Sequence, residues 1–247
     1  MQPADFYTGL VADLYSPLKG ASYDPEPYAA FVRERGEPAL ELGCGDGDPL
    51  IELRQRGLDV EGVDSSADML ERCRRRADGA GVDVRVHCQR MEELDLPRRY
   101  ASIFLAGPTF TLLADDATAL AALRRIRAHL REGGMALVPL AVPEPTPAER
   151  IGQARVAGVD GAELRVSVVA EERDEHARVQ RSTLRYERLR GGERTVQEQP
   201  WVLHWYTRAG FEDLVGRAGL RVASVTGPDG GPAGPEETDV SFVLWAG

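Results

Sequence analysis

Lysine is almost missing from this 247-residue chain. Lys19 is the single one among 30 basic residues, which face 40 carboxylates for a formal net charge of −10. A surface of that sign repels a phosphate backbone or an anionic membrane, so the expected partner is a small-molecule substrate, with no nucleic acid and no membrane. Long apolar runs are missing as well. No stretch approaches the roughly twenty residues that span a bilayer, and no basic segment followed by an apolar one opens the chain; a soluble, unexported protein is expected. Cysteine is scarce: Cys44, Cys73 and Cys88 are an odd count without metal-ligand spacing. That excludes a disulfide framework and a zinc site, so no metal is expected, and it suits reduced thiols in a cytoplasmic setting. Abundant Ala, Gly and Pro, with Arg in place of Lys, is the composition of a GC-rich bacterial genome. The length suits one large α/β domain with an elaboration; the subunit number stays open, a homodimer included.

What is there is an alternation. Residues 5–35 read as amphipathic helices broken by Ser16-Pro17 and Pro25-Glu26-Pro27. Residues 38–42 read as a short buried strand ending at a glycine-rich turn, with a helix beginning near Leu50. A strand at Val60–Asp64 precedes a helix with Ser65 as its expected N-cap. Strands are expected at Val82–His87, Ser102–Ala106 and Met135–Leu140, with a helix at Ala117–Leu130. Strand, helix, strand, repeated, means a mostly parallel sheet covered on both faces. After four closely spaced prolines the period changes to two, and residues 162–206 read as an antiparallel meander turning at Gly191-Gly192. Thr207 is placed to cap a helix through Phe211 and Val215, and strands follow at Arg221–Val225 and Asp239–Trp245.

Chemistry concentrates in Glu41-Leu42-Gly43-Cys44-Gly45-Asp46-Gly47, between a strand and a helix, with Asp64 ending the next strand. Glycines let backbone amides approach a ligand closely, and the helix beyond adds donors and a positive dipole end. A carboxylate at the tip of the second strand accepts hydrogen bonds from both hydroxyls of a ribose. An adenosine-containing ligand fits both features. The dinucleotide fingerprint fails, because Asp48 stands where its third glycine belongs, and a P-loop's Gly-Lys-Ser/Thr end is absent.

Glu41 through Gly47 resemble the first motif of the class I S-adenosylmethionine-dependent methyltransferases. Gly62 through Leu70 resemble that family's second strand and helix start, Gln89 through Glu93 its adenine-flanking segment, and His129 through Gly134 its approach to strand five. The likeness covers about residues 35–142, with a weaker echo at 206–220 and 239–245. It implies a Rossmann-like α/β fold: a seven-stranded, mostly parallel sheet with helices on both faces, a helical cap (1–36), a cofactor-binding core (37–142), an antiparallel substrate-covering insert after strand five (143–206) and a closing helix and hairpin (207–247). It also implies S-adenosyl-L-methionine as cofactor. Glu41 and Gly43 would surround its amino-acid end, Gly45 and Gly47 would let it cross the turn, Asp64 would hold the ribose with Ser65 beside it, Met91 would pack on adenine, and Ala106 would line the methionine moiety. Family members often carry an acid where this chain has Arg90, and a Thr or Ser where it has Asp46.

Methyl transfer from a sulfonium spreads positive charge onto the incoming atom, so alignment and water exclusion supply most of the acceleration and a base is optional. The insert enters at the carboxyl ends of the parallel strands, where ligands bind, and is expected to roof the acceptor. Similar inserts, with closing segments like His204-Trp205-Tyr206-Thr207, occur in relatives that methylate amino sugars, amino acids or peptide amines, which makes a small-molecule amine the expected acceptor. The alternatives are an O-methyltransferase of a small natural product, or a protein of this fold that binds the cofactor and catalyses another reaction. Tyr15, His204 and Tyr206 are the expected catalytic residues, His204 as the one histidine placed to serve as a base; Tyr7, Tyr23, Thr109 and Phe110 are further candidates for the acceptor pocket.

Overall fold

A computed structural model of the chain describes residues 6–19 and 23–246. After α1 (Leu10–Leu18) and α2 (Glu26–Arg35), the chain runs β1 (Ala39–Leu42), α3 (Leu50–Gln55), β2 (Val60–Asp64), α4 (Ala67–Gly79), β3 (Val86–Cys88), β4 (Tyr100–Leu105), α5 (Asp116–His129) and β5 (Leu130–Ala141). Four strands follow in succession, β6 (Ala154–Val159), β7 (Ala162–Asp174), β8 (Val179–Arg190) and β9 (Glu193–His204), and then α6 (Arg208–Arg217), β10 (Leu220–Thr226) and β11 (Asp239–Ala246).

Seven strands form one sheet in the order β10-β11-β5-β4-β1-β2-β3. Only β11 runs against its neighbours, so the Rossmann-like, mostly parallel sheet is present as expected. Strand order reverses around β1, which lies between β2 and β4, and a crevice opens there at the carboxyl ends of the strands. All four β1 residues are buried because helices cover both faces. Leu40 and Leu42 pack with Ile103, Leu123, Ile126 and Phe211 on one side, whereas Ala39 packs with Val32, Leu53 and Phe104 on the other. Burying each such side chain stabilises the fold by about 1.5–3 kcal/mol.

The second sheet, β6-β7-β8-β9, is antiparallel throughout. The helix α1 lies against it, Phe6, Leu10, Val11 and Leu14 packing on Leu164, Leu184 and Tyr186. Polar anchors tie α1 to the core as well: Ser16 Oγ donates to the Asp46 carboxylate, the Gly9 amide to Asp68 at 2.7 Å, and Arg72 pairs with Asp13. Among the described residues no helix is long and apolar enough to cross a membrane.

Local details differ from the sequence reading. The cap of α4 is Ser66, not Ser65: Ser66 Oγ accepts the Met69 amide at 3.1 Å. Thr207 does cap α6, accepting the Gly210 amide at 3.1 Å. The edge strand β3 pairs through only three residues, opposite Gly62–Asp64, so it is shorter than Val82–His87. The outer sheet gains β6, an edge strand whose small residues and exposed Val156 and Val159 leave no clear alternation. His129, at the end of α5, is buried. Its Nε2 accepts the Leu96 amide at 2.9 Å, so Nδ1 carries the proton and donates to the Arg125 carbonyl at 2.7 Å.

Candidate active site

A cavity of about 410 Å³ lies over the carboxyl ends of β1, β2 and β4, between the parallel sheet and the outer one. At its inner end Gly43, Gly45, Asp64, Ser65 and Met91 line it. Gly43 has φ +73°, in the left-handed region that a glycine enters without strain, and a Cβ there would stand 2.5 Å from Thr109 Cγ2. The turn is therefore flush against the segment after β4. Asp64 receives the Gly45 amide and the Ser66 amide, each at 2.8 Å, on different carboxylate oxygens. Burial raises its pKa despite those bonds and a further one from the Ser65 amide.

Glu41 is fully buried, on the side of β1 opposite Leu40 and Leu42 by strand alternation. Neither of its carboxylate oxygens has a hydrogen-bond partner. Burial, then the Asp48 and Asp64 carboxylates, push its carboxyl to about 8, with Lys19 pulling the other way. A buried, unpartnered carboxylate is costly, and a cation placed against it removes the penalty. The ammonium of an amino acid is such a cation, so the residues present fit S-adenosyl-L-methionine.

The outer end of the cavity is aromatic. Tyr7, Tyr15 and Tyr23 come from the helical cap, Thr109, Thr111, Leu112 and Leu113 from the segment after β4, Ala141 and Pro143 from the end of β5, and Trp201 and Leu203 from β9. The Tyr7 and Tyr15 rings meet edge to face at 5.2 Å. Burial, above all, holds the phenols of Tyr7 and Tyr15 protonated, well above their ordinary pKa.

The structure brings together Gly43, Gly45, Asp64, Ser65, Met91 and Tyr15 of the expected residues, with Glu41 two positions before the turn. Four others lie elsewhere. A Cβ on Gly47 would strike Ile51 and Cys73 at 2.7 and 2.8 Å, so its smallness serves helix packing. Ala106 is buried just past β4 without bordering the cavity. His204 and Tyr206 turn away from it. Trp201 and Leu203 share the inner face of β9, so His204 falls on the opposite face, where its Nε2 is 3.6 Å from Asp116 Oδ1. Burial is the largest influence on His204 and lowers its pKa. Tyr206 packs among Phe110, Phe211 and His204, and its hydroxyl has no hydrogen-bond partner. A base role for His204 is a poor match to this geometry. Asp46, too, is committed inward, to Ser16 and to Arg76 at 2.7 Å.

The sequence reading missed Trp201, Leu203, Ala141 and Pro143. For the β9 pair strand alternation offers one constraint: choosing His204 for one face assigns Leu203 and Trp201 to the other, without saying which face turns inward.

A family model described as a methyltransferase domain matches residues 39–134. Over the whole length the chain is similar to the dTDP-3-amino-3,6-dideoxy-alpha-D-glucopyranose N,N-dimethyltransferase of Streptomyces fradiae, 31% identical over 243 residues that cover 94% of this chain and 91% of the relative. It belongs to the class I S-adenosylmethionine-dependent methyltransferases. Among solved structures, this methyltransferase has the fold of CcbJ from Streptomyces caelestis (TM-score 0.78, 23% identity, 98% of each chain covered). It likewise has the fold of DesVI from Streptomyces venezuelae (TM-score 0.74, 23% identity, 96% and 97% covered). Its cofactor is S-adenosyl-L-methionine, and its reaction is methyl transfer.

Proposed function

We propose that this methyltransferase places its methyl group on an amine nitrogen of a small molecule seated at the aromatic end of the cavity. The observation that carries the reading is that wall itself: Tyr7, Tyr15, Tyr23 and Trp201 line the space beyond the glycine turn, while the expected base, His204, points elsewhere. Aromatic faces attract a cationic amine before it loses its proton, and a neutral amine brings its own lone pair, so no side chain has to generate the nucleophile. The streptomycete relative, an amino-sugar N,N-dimethyltransferase by name, supports the same reading.

When bound, the cofactor supplies an electrophilic methyl on a sulfonium. Glu41 and Gly43 would hold its amino-acid end, Gly45 the crossing of the turn, Asp64 the ribose with Ser65 beside it, and Met91 the adenine. Tyr15 and Trp201 would fix the approach line of the acceptor and keep water out, a contribution of proximity and orientation. In this reading residues 37–142 bind the cofactor, residues 143–206 cover the acceptor, and residues 207–247 complete the core sheet. A bacterial cytoplasm is part of it too, supported by the streptomycete relatives and three free cysteines.

The test is a panel of amino sugars, amino acids and peptide amines incubated with S-adenosyl-L-methionine. Mass spectrometry is expected to find a product heavier by one or two methyl groups, and nuclear magnetic resonance to place them on nitrogen. Methylation of oxygen alone across the panel overturns the proposal.

A further inference from the structure

The only lysine of the chain stands at the C-terminal end of α1, its amide donating to the Tyr15 carbonyl at 2.8 Å. Its side chain is 13% exposed and paired with Asp48. Its Nζ is 5.4 Å from the centroid of the Tyr15 ring and 5.5 Å from that of Tyr23, two of the rings that line the cavity. Its charge also reaches the buried carboxylate of Glu41. An ammonium has three donors, and the Asp48 carboxylate occupies one.

The amino-acid end of the cofactor carries one positive and one negative group. Glu41, buried with both oxygens unpartnered, complements the positive one, and the negative one needs a cation close by. Of the neighbouring guanidiniums, Arg76 is held by Asp46 at 2.7 Å, and Arg72 by Asp13. Arg90 lies beside Met91, at the adenine end of the cavity.

We infer that Lys19 is a cofactor-binding residue whose ammonium takes the carboxylate of the methionine moiety, opposite Glu41, which takes its amino group. The inference rests on the assignment of the β1–α3 turn to the amino-acid end of the cofactor. It gives α1 a second duty: the helix that walls the acceptor site also delivers the cation that recognises the donor.

Calorimetry on the full chain tests it with three ligands: S-adenosylhomocysteine, its decarboxylated analogue, and 5′-methylthioadenosine, which lacks the whole amino-acid end. Lys19→Met is expected to weaken S-adenosylhomocysteine about 10- to 100-fold, the range for a hydrogen bond to a charged group, and to leave the decarboxylated analogue within about threefold. Lys19→Arg is expected to recover part of the loss. Equal weakening of all three ligands reduces Lys19 to a tether for α1 and overturns the inference, as does unchanged binding of S-adenosylhomocysteine. If the unaltered protein binds 5′-methylthioadenosine as tightly as S-adenosylhomocysteine, the assignment of the turn fails with it; if no ligand binds, the cofactor site itself is misplaced. Asp48→Asn gives a second route that keeps Lys19. It frees the ammonium and is expected to tighten S-adenosylhomocysteine, whereas a pure tether loses its anchor and weakens every ligand.

Discussion

Thr109 leans so far over Gly43 that a Cβ on the glycine would stand 2.5 Å from the threonine methyl. A side chain at Gly43 would therefore either push back the segment after β4 or open the turn, besides forcing a left-handed backbone at a cost of roughly 1–2 kcal/mol. Gly43→Ala is expected to lower both stability and affinity for S-adenosylhomocysteine, and a second change, Thr109→Ser, which deletes the offending methyl, to restore part of each. Gly47→Ala is the contrast: its obstacles are Ile51 and Cys73, so thermal unfolding should register a loss that exceeds any loss of binding. A double variant no better than Gly43→Ala alone would show that the collision is not what matters.

Glu41 makes the enzyme sensitive to pH. Its folded-state pKa of about 8 lies above the ordinary 4.5, so the native chain keeps a proton that the unfolded chain releases. This group's contribution to stability is therefore full below about pH 4.5 and is lost as pH rises through 8. Glu41→Gln is expected to be more resistant to heat than the parent at pH 8 without ligand, and to bind S-adenosylhomocysteine more weakly. A bound ammonium favours the charged carboxylate, so below pH 8 binding should expel a proton and affinity should climb with pH. Calorimetric heats that do not change with the ionisation enthalpy of the buffer would contradict this.

For His204 the expectation is structural. His204→Ala should leave the pH profile of turnover unchanged and cost about 1–3 kcal/mol of stability, because a buried ring is removed from beside Tyr206 and Asp116 loses its neighbour. Denaturant titration beside a pH–rate profile checks both halves. A lost acidic limb in the profile would return the histidine to the chemistry.

Trp201 borders the acceptor end and not the glycine turn. Trp201→Ala should raise the KM for the acceptor about tenfold, equivalent to roughly 1–2 kcal/mol of apolar contact, with S-adenosylhomocysteine binding unaltered. Equal loss of both would mean that the two ends of the cavity are not separable.

The parallel sheet was readable because its strands are covered on both faces and announce themselves as apolar runs closed by Gly43, Asp64 and Gly107. The inner end of the cavity was readable for the same reason: local chain geometry, not distant packing, puts Gly45 and Asp64 in contact. The outer end was not. Its wall comes from α1, the segment after β4, the end of β5 and β9, and no spacing in the sequence records which face of β9 turns inward. Chemical character misled at that point, since a histidine attracts attention that Trp201 and Leu203 do not. The packing of Gly47 against Ile51 and Cys73 was not readable, because a glycine that admits a ligand and one that admits a neighbouring helix look identical in one dimension. Ser65 and Ser66 are equivalent as letters, and only the direction of the entering backbone selects the cap.

Strand β9 has a ligand on one side in prospect and the head of α5 on the other. Residues that the acceptor never meets, His204 and Asp116 among them, thus set the height at which Trp201 and Leu203 stand. Selection for a new acceptor has a hidden handle here: repacking beneath the ribbon would reshape the chamber above it while leaving every ligand-touching residue as it was.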